Sequence, residues 1–237
     1  KVAAGLAVIP YALAVLGPQK FALWTLALTL TGYFGILDFG LGAMFVKHFA
    51  YYLGRGDHRS YNGALTLGLM IYTCLTVASF AFWLLSSERI IALLNVPRDL
   101  RIESHFVMLL MLGNLYMYNV GNLFKSVIDS MQRMDLTNAV NSTGALLQAI
   151  SLLAVLRLGY GLFGLVVALL AVSAVTAIAF LMIARTLAPF LKFDFRGISR
   201  NTLKDISGFG WKMQLTNIAM TINLNTDKLA IAYFLNL

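Results

Sequence analysis

Residues 21–47 read FALWTLALTLTGYFGILDFGLGAMFVK, an apolar run with a single carboxylate, Asp38, set among glycines. At 1.5 Å per residue, about 25 helical residues reach roughly 38 Å, more than the ~30 Å hydrocarbon core of a bilayer. Inside hydrocarbon the backbone must bond to itself, so a run of this kind is a transmembrane helix. A carboxylate on it is costly to bury in lipid and marks a functional position.

The rest of the chain repeats the pattern. Only 12% of the 237 residues are charged and 59% are hydrophobic, where a soluble domain carries about 25% charged residues. The fold class is therefore all-α integral membrane, with about seven transmembrane helices. They are expected near residues 2–16, 21–45, 61–85, 105–126, 139–156, 162–184 and 209–234, the first of them short for a full span. A Gly17-Pro18 turn separates the first two, and a polar loop is expected over residues 47–60. Residues 88–104 begin with ERIIALLNV, an interfacial amphipathic stretch that Pro97 ends. Residues 189–207 alternate Lys192, Arg196, Arg200 and Lys204 with Phe190, Phe193, Phe195 and Leu203. The organisation read from this is a transmembrane lobe over 1–188, a basic amphipathic linker over 189–208, and a seventh helix over 209–237 that opens a second lobe. Because Lys1 runs directly into apolar sequence, the chain is read as a fragment.

The net charge of +8 does not form a soluble basic face, so nucleic acid is not an expected partner. Its placement is a topology signal instead. With the 47–60 loop inside, the inner segments hold Lys47, Arg55, Arg59, Lys125, Arg133, Arg185, Lys192, Arg196, Arg200, Lys204 and Lys212. The outer segments hold Lys20, Arg89, Arg98, Arg101 and Arg157, so the balance is eleven against five. The positive-inside rule then sets the N-terminus in the cytoplasm, with anionic membrane lipids as contacts of the basic segments. Cys74 is the only cysteine, so no intrachain disulfide forms.

Residues three, four and seven apart share a helix face. On the fourth helix Asn114, Tyr118, Gly121, Asn122, Lys125 and Asp129 make one polar stripe. Thr31, Gly35, Asp38 and Gly42 line a face of the second helix; Asn138, Asn141 and Gln148 lie on the fifth; Gln214, Asn217, Thr221, Asn225 and Lys228 lie on the seventh. The sixth helix is almost wholly apolar. Any single Asn in such a stripe is more often glue between packed helices. Four stripes together, three of them charged, point to a hydrated cavity lined by helices two, four, five and seven. No metal-ligand spacing, phosphate-cradling glycine loop or nucleophile with a base is found, so an enzyme is not expected.

Leu16-Gly17, the Phe21–Trp24 segment, Leu37-Asp38-Phe39-Gly40-Leu41-Gly42, Lys47 and Ala50, in that order, resemble the N-terminal half of bacterial polysaccharide flippases. These are the O-antigen and exopolysaccharide translocases of the multidrug/oligosaccharidyl-lipid/polysaccharide exporter superfamily. Phe209-Gly210, and Asn225 to Ile231 after the basic linker, resemble their seventh helix. The resemblance implies two six-helix lobes around a central cavity in the bacterial inner membrane. It implies alternating access that moves a polyprenyl-pyrophosphate-linked oligosaccharide from the inner to the outer leaflet. Lys47 and Lys125 become candidates for phosphate contact, and Asp38 for ion coupling or conformational pairing. No cofactor is expected; coupling would use Na+ or H+. A glycan polymerase complex is a candidate partner.

Two alternatives stay open. A drug antiporter of the same superfamily would expel amphipathic cations, with Asp38 as its carboxylate, although Lys47 and Lys125 favour an anionic cargo. A membrane glycan polymerase or acyltransferase would be expected to carry large outer loops with catalytic Arg or His, and residues 88–104, the longest outer connection, are short.

Overall fold

A computed structural model describes residues 2–36, 41–93 and 96–198. The chain is helical throughout this region, in the order α1 (Val2–Ile36), α2 (Leu41–Gly54), α3 (His58–Leu93), α4 (Arg101–Ser130), α5 (Met134–Arg157) and α6 (Gly161–Leu187), with short 3-10 turns at Arg98–Leu100 and Phe195–Gly197. Among the described residues five helices are long and apolar enough to cross a bilayer. The all-α membrane fold class holds; the seventh expected helix lies outside the described residues.

Several boundaries differ from those the sequence suggests. The Gly17-Pro18 turn is not among them: two helical stretches, together labelled α1, meet at Gly17, which takes the non-helical φ 75° and ψ 166°. That positive φ is open to glycine at little cost, and Pro18 fits the first helical position after the break. The polar loop expected over 47–60 shrinks to a turn, because α2 runs on to Gly54 and α3 starts at His58. Leu41, Met44, Phe45 and Phe49 recur at helical spacing and are buried, so Lys47 is an exposed residue on an amphipathic helix. The interfacial stretch after Glu88 continues α3 for the same reason: Trp83, Ser87 and Ile91 stack at four-residue intervals on its buried face.

Two apolar clusters hold the bundle, one toward each end. Trp24, Trp83, Met108, Leu156 and Leu162 pack α1, α3, α4, α5 and α6 together at one end, where Lys20 also bridges to Glu103 at 3.2 Å. Phe45, Phe49, Tyr61, Leu123 and Phe180 pack α2, α3, α4 and α6 at the other, with the Phe49 and Tyr61 rings 4.7 Å apart. Large apolar side chains elsewhere point outward, among them Leu146, Leu147 and Ile150 on α5 and Val175, Ile178 and Met182 on α6. In a bilayer this outer surface meets hydrocarbon as apolar as itself.

The basic segment after α6 is an extended strap laid across the first turns of α3. Asn62 reads the strap on both of its amide atoms: Nδ2 donates to the Phe190 carbonyl at 3.0 Å, and Oδ1 accepts from the Lys192 amide at 3.1 Å. One turn on, the Asp194 amide donates to Thr66 Oγ1 at 2.9 Å. The Asp194 carboxylate then accepts from the Arg196 and Gly197 amides and closes the 3-10 turn. The backbones meet at Gly63 and Gly197, where a Cβ on Gly63 would fall 2.1 Å from the Gly197 carbonyl oxygen. No side chain fits there.

The start of α3 is capped by Asp57, whose Oδ1 accepts from the Ser60 amide at 3.0 Å. The Ser60 hydroxyl first, and then its amide, hold the Asp57 carboxyl below its ordinary value. The charged form is the bonded one. Its contribution is complete above the unfolded-state pKa and is lost as pH falls through the lowered folded value.

Two expectations follow for the purified protein. Asp57→Ala should cost about 1 kcal/mol at neutral pH, the size of a lost helix cap, and the deficit should shrink when thermal unfolding in detergent is repeated at acid pH. A deficit that does not change with pH rejects the charged cap. Gly63→Ala should lift the strap and speed tryptic cleavage at Lys192 and Arg196 by about tenfold or more while helical circular dichroism is kept; cleavage at the parent rate rejects the Gly63–Gly197 contact.

Candidate functional site

Three kinds of residue sit along the α4 stripe, and the structure separates them. Near the middle of the helix, Asn114 accepts a hydrogen bond from Ser173 of α6, Oγ to Oδ1 at 2.6 Å. This is glue between helices, in a span where an unbonded amide costs several kcal/mol. At the strap end, Lys125 pairs with Asp129 one turn later. Asp129 also accepts from Thr137 Oγ1 of α5 at 2.9 Å. Lys125 and Asp129 therefore neutralise each other and fasten the α4–α5 corner, and neither lines the space described next.

Between these two ends the stripe opens onto a groove. α4 and α5 diverge from the turn that joins them, and each packs on α6. The result is a cleft of about 100 Å³ with α6 as its floor. Tyr118 and Asn122 stand on the α4 wall, Asn141 and Gln148 on the α5 wall, and Ser173, Thr176 and Phe180 on the floor. Tyr118, Asn141 and Gln148 are solvent-accessible and Asn122 is half-buried. No charged side chain lines the cleft among the described residues.

Small residues set its geometry. Gly121 is buried, and a Cβ added there would lie 3.3 Å from the Ala177 Cα. A Cβ on Gly144 would lie 3.1 Å from Thr176 Oγ1. Both walls therefore approach the floor through a glycine, as close packing of membrane helices favours. Thr176 Oγ1 donates to the Val172 carbonyl of its own helix at 2.7 Å and keeps lone pairs to offer the groove.

Of the expected site residues, the structure brings Tyr118, Asn122, Asn141 and Gln148 together at the groove, with Asn114 bonded to its floor. Lys125 and Asp129 form the corner pair, and Lys47 is on the outer face of α2, away from the cleft lining. Asp38, Asn217, Thr221 and Asn225 lie outside the described residues. The sixth helix is the correction. Sequence reasoning sets it aside as apolar, yet it supplies the floor through Ser173, Thr176 and Ala177. The signal is the i, i+3 and i+4 spacing of those residues. It is weak because Ser and Thr can bond their own backbone, as Thr176 does and Ser173 does not. Thr31, from the second-helix stripe, is buried and donates to the Ala27 carbonyl at 2.7 Å. It turns its hydroxyl to its own backbone.

Among the described residues the arrangement is a polar, uncharged, solvent-accessible recess between apolar helices. Among the described residues no group of three His, Cys, Asp or Glu side chains converges to hold a metal. The family described as polysaccharide biosynthesis protein matches residues 2–237. No curated protein and no solved structure matches the chain.

Gly121→Val should force α4 away from α6 and cost about 1–3 kcal/mol, the range for overpacking a filled contact. Combining it with Ala177→Gly should restore part of that loss. Thermal unfolding of the two single variants and the double variant measures the coupling, and strictly additive losses reject the contact.

Proposed function

The chain belongs to the polysaccharide biosynthesis protein family, and from that premise we propose that it flips a polyprenyl-pyrophosphate-linked oligosaccharide across the bacterial inner membrane by alternating access. Family membership, together with five helices among the described residues that are long and apolar enough to cross a bilayer, supports a membrane protein of polysaccharide synthesis or export. The observation that carries the finer reading is the uncharged groove of Tyr118, Asn122, Asn141, Gln148, Ser173 and Thr176. Sugar hydroxyls both donate and accept, and each costs several kcal/mol to strip of water without replacement bonds. Amides and hydroxyls offer both bonding roles at every position. A wall of them lowers the cost of moving sugars past hydrocarbon without holding any one sugar tightly.

The lipid carrier stays in the bilayer while its head passes along the groove. The facing wall is assigned to the seventh helix, with Asn217, Thr221 and Asn225, and to the second lobe that the family resemblance implies. Asp38 is assigned to coupling with Na+ or H+. The strap end is proposed to be cytoplasmic. Among the described residues it carries Lys47, Arg55, Arg59, Lys125, Arg133, Arg185, Lys192 and Arg196, and the opposite end carries Lys20, Arg89, Arg98, Arg101 and Arg157. The protein is read as a transporter and not as an enzyme, because the groove pairs no nucleophile with a base. A drug antiporter is the weaker reading: an amphipathic cation needs a carboxylate in its path, and none lines the groove among the described residues.

The triple variant Asn122→Leu, Asn141→Leu and Gln148→Leu keeps side-chain size and removes the amides. It should reduce flipping of a fluorescent lipid-linked oligosaccharide in proteoliposomes by about tenfold or more, at unchanged insertion and melting temperature. Parent-level flipping by the variant rejects the groove as the path. Efflux of an amphipathic cation by the parent, with no oligosaccharide movement, selects the antiporter reading.

A further inference from the structure

A second recess lies at the strap end, apart from the groove. Its volume is about 310 Å³, and it opens to the surface between α3, α4, α6 and the strap. Leu65, Phe124 and Leu181 form an apolar floor, and Arg185 and Lys192 stand at the rim. Both cations are exposed, and neither makes an ion pair among the described residues. Two unpaired like charges beside one cavity repel each other and favour an anion between them. An apolar floor beneath them favours a ligand with a hydrocarbon part.

The wall that carries Lys192 is built in advance. Asn62 bonds the backbone on each side of Leu191, at the Phe190 carbonyl and the Lys192 amide. The Gly63–Gly197 contact fixes the strap's height above α3. Arg185 sits in the last turn of α6, where its stem can follow the apolar surface and its guanidinium can reach the rim. Such a guanidinium takes phosphate in a two-pronged grip, and the Lys192 ammonium acts beside it as a point charge.

We propose that this recess is a binding site for an anionic membrane phospholipid, with the phosphate held between Arg185 and Lys192 and the first part of an acyl chain lying on Leu65, Phe124 and Leu181. The site is separate from the groove and does not rest on the transport reading. Its place between α3, α6 and the strap means that a bound lipid braces the strap against the bundle. The lipid composition of the surrounding leaflet thereby acts on the segment that leaves the six helices.

Native mass spectrometry of the full chain in detergent tests this directly. Dioleoyl phosphatidylglycerol should be retained at about tenfold lower concentration than dioleoyl phosphatidylcholine, given two cations at the site. R185Q/K192Q should remove that difference, while R98Q/R101Q, which deletes two charges at the opposite end, should leave it. R185K/K192R should retain it, because both charges remain. Leu181→Glu, which supplies an internal carboxylate and keeps both cations, should remove it at unchanged melting temperature. Equal retention of the two lipids, an equal loss in both charge-deleted variants, or displacement of phosphatidylglycerol by millimolar inorganic phosphate overturns the proposal. Flipping by the triple Leu variant is measured separately, so either reading can fail without the other.

Discussion

The approach of α4 and α5 to α6 through Gly121 and Gly144 is the contact on which the rest depends. In lipid there is no hydrophobic drive to bring apolar helices together, so association rests on close packing and on hydrogen bonds between helices. The two glycines let backbones come near enough for both. Asn114 reaches Ser173 only because α4 lies close along α6 at this level. With both outer helices seated on α6 and joined by a short turn, the space between them becomes a groove with a closed floor. The same residues that make the packing possible leave the cleft open, since a small side chain removes volume from the wall.

Polar residues in this bundle divide by whether they have a protein partner. Asn114, Ser173, Asp129, Lys125 and Thr137 are bonded across helices or along one, and these contacts hold geometry. Tyr118, Asn141 and Gln148 face accessible space. An amide left facing hydrocarbon would be costly; one that faces a wet groove is not. The division explains how a single stripe on α4 can be structural at both ends and open in the middle. The stripe's period follows from the helix. Its three fates follow from what α5 and α6 present at each level.

Much of this is legible in the sequence, and the limit has a physical form. Residue spacing identifies which positions share a face, and so it alone groups Tyr118 with Asn122, and Asn141 with Gln148. Spacing does not say which neighbour that face meets. Helix six reads as apolar because its polar residues are small, and the neighbour that gives Ser173 its meaning, Asn114, is 59 positions away. The ends of helices are hard to read for a related reason. Lys47, Glu88 and Arg89 suggest loop by charge, while Leu41, Phe45, Phe49, Trp83 and Ile91 keep the helical period straight through them. When charge and period conflict near a membrane surface, the period decides the backbone and the charge decides only which face is wet. The strap is the least legible element. Its alternating Phe and basic residues suggest an amphipathic segment, whereas its path is set by Asn62, Gly63 and Thr66, more than a hundred residues earlier.

Charge is distributed to match this plan. Among the described residues the groove is neutral, and Lys125 and Asp129, outside its lining, satisfy each other. A lone cation at mid-membrane would attract a phosphate strongly in a low dielectric, and on the proposed transport reading a path with such a trap would bind its cargo better than it would release it. Neutral donors and acceptors avoid the trap. Cations with no ion pair among the described residues appear instead at the strap end, where Arg185 and Lys192 flank a recess with an apolar floor. Water and salt weaken each attraction there, so an anion must match both charges and the floor to be held. On the two proposed readings, one bundle carries a weak, sliding surface for sugars in its middle and a selective seat for a phosphate at its edge, because the surrounding dielectric sets how much a single charge is worth.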